Sequence, residues 1–247
     1  MGKPQHVLAL GFGEEFTALA GRLLLLNFRA VRAASTDDGV RALERGGEPI
    51  RVALLAVPQM LGDLSFALGR LRDHAPTPHL RFAAAGQEPG RRELEELHEA
   101  GVEFALWKPF DDAALRFVLN EAHQDPNSAE SRNVLRAPTA MLARVFSAAG
   151  QKAALVYNLS ERGAFLETLR PTSAKGHVRV ELPLPTGTVT LAARVVTTNV
   201  PGNIQKPNLP MGMGVEFTDV PEETRHTLAE HVGAMAERYH IDKPDLD

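Results

Sequence analysis

Arg132 and Arg136, in the stretch "SRNVLRAP" at 131–138, stand four residues apart and so fall on one side of the segment, helical or extended. A guanidinium plane can give paired hydrogen bonds to a phosphate or a base edge, or stack on a ring, where a lysine offers only a point charge. Twenty-two residues after Arg136, "VYNLSERGAF" spaces Asn158, Ser160 and Gly163 as Asn-x-Ser-x-x-Gly. An amide and a hydroxyl there can donate and accept, and a glycine lets another group come close to the backbone. Each motif also has a plain reading. Arginine pairs are commonly solvated, and Asn-x-Ser-x-x-Gly makes a good turn, in which Asn and Ser bond local backbone and Gly takes positive φ.

Little else in the chain offers chemistry. There is no cysteine, so disulfides, thiol nucleophiles and thiolate metal sites are excluded. The nine histidines have no metal-ligand spacing, and Gly11-Phe12-Gly13 lacks the third glycine of a dinucleotide fingerprint. No metal or cofactor is expected. The 247 residues carry 14 Lys/Arg against 18 Asp/Glu up to residue 127 and 13 against 13 beyond it, so neither half is a basic nucleic-acid surface. Anion recognition must therefore be local. The start has only a short apolar run before Glu14 and Glu15, and "LLLL" at 23–26 is too short to span a bilayer, so the chain reads as cytoplasmic, with no membrane partner.

The elements that must position these residues fall into two patterns. Up to residue 123, "HVLAL", "RAVRA", "RVALLAV", "LRFAAA" and "EFALW" alternate with segments of helical period, which predicts a (βα)5 doubly wound parallel sheet over 1–123. The polar "QDPNSAES", 124–131, reads as a linker. Beyond it "TAMLARVF", "KAALVYNLS", "GAFLET", "HVRVELPL", "TVTLAARVVTT" and "MGVEF" predict a small antiparallel barrel over 132–247, closed by a terminal helix "PEETRHTLAEHVGAMAERY". The Pro/Gly/Asn-rich segment 199–214 is long for a loop in so small a barrel, which makes it a candidate lid or partner surface.

The five βα units ending in "AGVEFALWKPFD" resemble the response-regulator receiver domain, with Lys108, Pro109 and Phe110 at the places of that family's lysine-proline-phenylalanine run. The resemblance implies a phospho-acceptor aspartate at the end of the third strand, and Ala56 stands there. It implies an acid pair after the first strand, where Gly11 and Phe12 stand, and a hydroxyl after the fourth, where Ala84 is the counterpart. Mg²⁺ needs carboxylate oxygens and phosphoryl transfer needs an oxygen nucleophile, so this half reads as a pseudo-receiver. The resemblance also implies protein contact or dimerisation through its fourth helix, fifth strand and fifth helix.

The arginine pair, the Asn-x-Ser-x-x-Gly turn, the strand-rich pattern and "GVEF" at 214–217 together resemble the PilZ domain, a bacterial receptor module for cyclic di-GMP. That resemblance assigns Arg132 and Arg136 to guanine edges, stacking and phosphate, and Asn158, Ser160 and Gly163 to the opposite wall. It implies a non-enzymatic signalling effector in which the segment carrying the arginines wraps the ligand and orders on binding. A protein partner in motility or envelope signalling machinery and a homodimer are the partners considered. The alternative is a ligand-independent adaptor whose barrel binds no nucleotide.

Overall fold

The computed structural model describes residues 3–45, 47–58, 63–77, 79–124, 134–204 and 206–241. These divide into two compact units. The described residues of Lys3–Ser131 and of Glu237–Asp247 form one, and those of Arg132–Ala236 form the other.

The first unit runs β1 (Gln5–Leu10), α1 (Phe16–Leu25), β2 (Phe28–Ala33), α2 (Thr36–Glu44), β3 (Val52–Val57), α3 (Leu64–Asp73), β4 (Arg81–Gly86), α4 (Arg91–Glu99), β5 (Phe104–Trp107) and α5 (Asp112–His123). Its strands are parallel in the order β2-β1-β3-β4-β5, the doubly wound arrangement with one reversal of direction, between β1 and β3. The apolar run "VALLAV" of β3 suits a central strand, and its residues 52–55 are buried. Helix starts follow from their caps: Ser35 Oγ accepts from Asp38 N–H, Asp63 from Phe66 N–H and Asp111 from Ala114 N–H. Helix α4 ends in a Schellman turn, with Gly101 at φ +77° and Val102 N–H reaching back to the Leu97 carbonyl. The "LLLL" run splits by helical phase, with Leu23 and Leu26 in the core and Leu24 and Leu25 exposed. Among the described residues no helix is long and apolar enough to cross a membrane.

The second unit is a closed six-stranded barrel of β6 (Arg136–Ser147), β7 (Gly150–Ser160), β8 (Gly163–Glu167), β9 (His177–Leu184), β10 (Gly187–Asn199) and β11 (Gly212–Thr218), followed by α6 (Glu222–Ala236). Its neighbouring strands are antiparallel. The period-two pattern read in the sequence points Val178, Val180, Leu182, Leu191, Ala193 and Val195 into one core, onto which α6 lays Leu228, Val232 and Ala236.

Two features depart from expectation. Strand β6 reaches back to Arg136, three residues before "TAMLARVF", because the β6–β7 ladder continues across to Ser160. The terminal helix stops at Ala236 rather than Tyr239, and the described residues after it, 237–241, belong to the first unit rather than to the barrel. There Ala105 N–H donates to the Tyr239 carbonyl at 3.0 Å, Ile241 N–H donates to the Glu103 carbonyl at 3.1 Å, and Ile241 enters the unit's core.

Candidate functional site

The end of the β6–β7 ladder assembles most of the motif. Arg136 lies directly opposite Ser160, Ala137 opposite Leu159 and Pro138 opposite Asn158. Ala137 and Leu159 belong to the barrel core, so the alternate residues Arg136, Asn158 and Ser160 share the other face of the sheet. Arg132 lies outside the described residues. Arg136 is thus a strand residue, rather than part of a segment free to wrap a ligand.

Register irregularities sit on both sides of Asn158, between Pro138 and Met141 on β6–β7 and between Val156 and Asn158 on β7–β8. Thr139 stitches the first of them: its hydroxyl donates to the Val156 carbonyl at 2.6 Å and accepts from Met141 N–H at 3.3 Å. Bulges of this kind bend a strand and re-aim its side chains. Tyr157, at the second bulge, is buried edge-on against Phe165, the cross-strand partner of Asn158. The sequence reading missed Thr139 and Phe165. A threonine three residues after the second arginine carries no signal of its own, because only the ladder brings it to the bulge.

The polar groups divide sharply. Asn158 is 7% exposed and its carbonyl oxygen Oδ1 is buried without a hydrogen-bond partner among the described residues. Leaving such an acceptor desolvated costs about 1–3 kcal/mol. Ser160, 1% exposed, is satisfied within the hairpin: its hydroxyl donates to the Gly163 carbonyl at 3.0 Å and accepts from Gly163 N–H at 3.1 Å. Gly163 answers to packing. A β-carbon there would stand 2.3 Å from the Val215 carbonyl oxygen on the neighbouring β11, too close for any side chain. The structure therefore brings Arg136, Asn158 and Ser160 together and gives Ser160 and Gly163 structural duties.

In the first unit, two cations are neutralised by carboxylates. Lys108 Nζ donates to Glu15 Oε1 at 2.6 Å, and Arg22 Nε pairs with Asp112 Oδ1 at 2.6 Å. Arg22 also donates to the Phe110 carbonyl and lies 4.9 Å from the centre of the Phe110 ring. A cleft of about 450 Å³ is lined by Arg22, Gln87, Lys108, Pro109 and Phe110. Ala56, next to last in β3, lies beside Ala85 of β4, and among the described residues no cluster of three or more His, Asp and Glu side chains could hold a metal.

The barrel now has a family. Residues 130–234 match the PilZ domain family. The second unit is a PilZ domain. The PilZ match covers the Arg132–Arg136 pair, the Asn158–Gly163 turn and α6 up to residue 234. The first unit has the receiver-like fold that its strand order describes. Among solved structures, the inhibitor of motility MotI/DgrA of Bacillus subtilis is 14% identical with a TM-score of 0.35, over 42% of this chain and 50% of that one, so the chain spans about half of that relative. The PilZ domain of Escherichia coli YcgR, solved with c-di-GMP, is 16% identical over 42% of this chain and 90% of that one, with a TM-score of 0.34. The receiver domain of sensor histidine kinase PA1611 of Pseudomonas aeruginosa PAO1, solved with a magnesium ion, is 22% identical over 47% and 95%, with a TM-score of 0.41. A comparison with curated proteins finds no match.

Proposed function

We propose that the chain is a cytoplasmic, non-enzymatic signalling effector whose PilZ domain binds cyclic di-GMP through Arg132, Arg136 and Asn158 and passes the signal to a protein partner through its receiver-like unit. The observation that carries this reading is the ladder register that sets Arg136 on the same face as Asn158, whose buried carbonyl oxygen is an acceptor without a donor among the described residues. Cyclic di-GMP has the complementary chemistry. Its two phosphodiesters and the guanine O6 and N7 accept from a guanidinium, and the guanine N1 and N2 hydrogens can donate to an amide oxygen. Ser160 and Gly163 hold the hairpin that presents Asn158, Ser160 by closing the turn and Gly163 by admitting β11.

Calorimetric titration with cyclic di-GMP tests the proposal. Saturable binding to the full chain at micromolar protein, lost in Arg132→Ala and weakened about tenfold to a hundredfold in Arg136→Ala, supports it; the absence of heat and of any ligand-induced thermal shift overturns it. A second reading, a nucleotide-independent adaptor, is favoured by the structural explanation available for Ser160 and Gly163 without any ligand. On that reading Arg136→Ala leaves partner capture intact, whereas charge reversal at Arg91 and Arg92 on α4 abolishes it.

A further inference from the structure

Strand β5 is the last in the order β2-β1-β3-β4-β5, so one of its edges is left without a partner from the sheet. An edge of this kind exposes backbone N–H and C=O groups that can pair with any extended strand, including one from a second copy. Here the chain's own segment Tyr239–Ile241 takes it. Phe104 and His240 form an antiparallel pair flanked by the Ala105–Tyr239 and Ile241–Glu103 hydrogen bonds. The side chains reinforce the pairing. The His240 ring lies 5.1 Å from the Phe104 ring, Tyr239 meets Phe117 of α5 edge-on at 6.2 Å, and Ile241 is buried in the core cluster that includes Leu97 of α4. His98 of α4 adds a contact from Nδ1 to the Ile241 carbonyl at 3.2 Å.

We propose that Tyr239–Ile241 is a strap that occupies the β5 edge in cis and prevents that edge from pairing with the β5 edge of a second copy of the chain. Strap release is the step that opens the β5 edge. The strap is short, held among the described residues by main-chain bonds to Ala105 of β5 and to Glu103 just before it, so it can leave while the five-stranded sheet stays intact. Only Glu237 and Arg238 separate it from Ala236, the last residue of α6, so the PilZ domain's terminal helix and the strap are joined with little slack. The proposal does not depend on nucleotide binding.

The test uses two full-length variants. Ile241→Pro removes the N–H that donates to Glu103 while keeping an apolar ring at the position. Phe104→Cys combined with His240→Cys exploits a cysteine-free chain and a close antiparallel pair to lock the strap by a disulfide. In the parent chain the Ala105 amide exchanges slowly. In Ile241→Pro its exchange rises about tenfold or more, and sedimentation velocity shows concentration-dependent self-association. The oxidised double variant keeps the Ala105 protection and does not self-associate at the same concentrations. Fast Ala105 exchange in the parent, an Ile241→Pro chain that releases the strap yet keeps the parent's mass, or a locked chain that associates like Ile241→Pro would each overturn the proposal. If Ile241→Pro fails to fold, Tyr239→Ala, which removes the contact with Phe117 and leaves the main chain unaltered, takes its place in both measurements.

Discussion

Asn158 and Ser160 are two residues apart on one strand, buried on the same face, and differ in what they need. Replacing Asn158 by leucine removes a desolvated acceptor while filling a similar volume. The ligand-free protein should then gain about 1 kcal/mol in thermal unfolding, while binding of cyclic di-GMP is lost in calorimetry. Ser160→Ala should act in the opposite sense, destabilising by about 1–3 kcal/mol, because Gly163 loses both of its contacts with the hydroxyl. Arg136→Ala removes charge-assisted hydrogen bonds to the ligand and should weaken binding about tenfold to a hundredfold, with an unfolding midpoint close to the parent's. At the same scale, His123 provides a pH dependence. Burial is the main cause holding its imidazole below the ordinary range, although its Nδ1 contacts the Leu119 carbonyl, which favours the proton. The folded state resists protonation and the unfolded chain takes it up near pH 6.5. Stability from this group is therefore full above that pH and is lost as pH falls through the lowered value in the fold. Urea unfolding between pH 7.5 and 5 should show that decline, and His123→Phe, beside the Phe28 ring, should flatten it.

Elements decide whether those residues meet. Arg136 and Asn158 are far apart in sequence, and the antiparallel β6–β7 ladder sets them on one face. The glycines of β8 and β11 then set how close those strands lie. A β-carbon on Gly163 would strike the Val215 carbonyl oxygen, and one on Gly212 the Leu166 carbonyl oxygen. The segment after β10 is likewise held by an element end. Asn199 Nδ2 donates to the carbonyls of Lys206, Leu209 and Pro210 at 3.0 to 3.1 Å, and its Oδ1 accepts from Lys206 N–H. The stretch singled out in the sequence as a lid or partner surface is thus pinned from one buried asparagine. Asn199→Ala should cost about 2 kcal/mol and open the 200–211 segment to limited proteolysis, with the barrel core still folded.

A PilZ domain and a receiver-like unit share one chain that passes between units twice, since the described residues 237–241 return to the first. The receiver-like unit has Ala56 near the end of β3 and Lys108 and Arg22 held in ion pairs. With Ala56 there and Lys108 paired to Glu15, incubation with acetyl phosphate and Mg²⁺ should leave the intact mass unchanged. The Glu15–Lys108 pair is largely exposed, so Glu15→Gln should change stability by no more than about 1 kcal/mol.

Local pattern determined much of this protein. Burial of alternate residues makes β9 and β10 barrel strands, helical period and capping side chains make α2, α3 and α5, and the absence of a carboxylate at Ala56 is visible in one letter. The arginine spacing and the Asn-x-Ser-x-x-Gly turn were legible for the same reason, because each lies within a few residues of chain. What the tertiary structure alone decided depends on partners distant in sequence. Pairing with β7 makes Arg136 a strand residue, β11 accounts for Gly163, and burial leaves Asn158 Oδ1 without a partner among the described residues while the turn satisfies Ser160. The return of Tyr239–Ile241 to β5, more than 130 residues upstream, is the clearest case. Three residues carry too little pattern to announce a pairing, and only an open edge with matching N–H and C=O groups bridges them to β5.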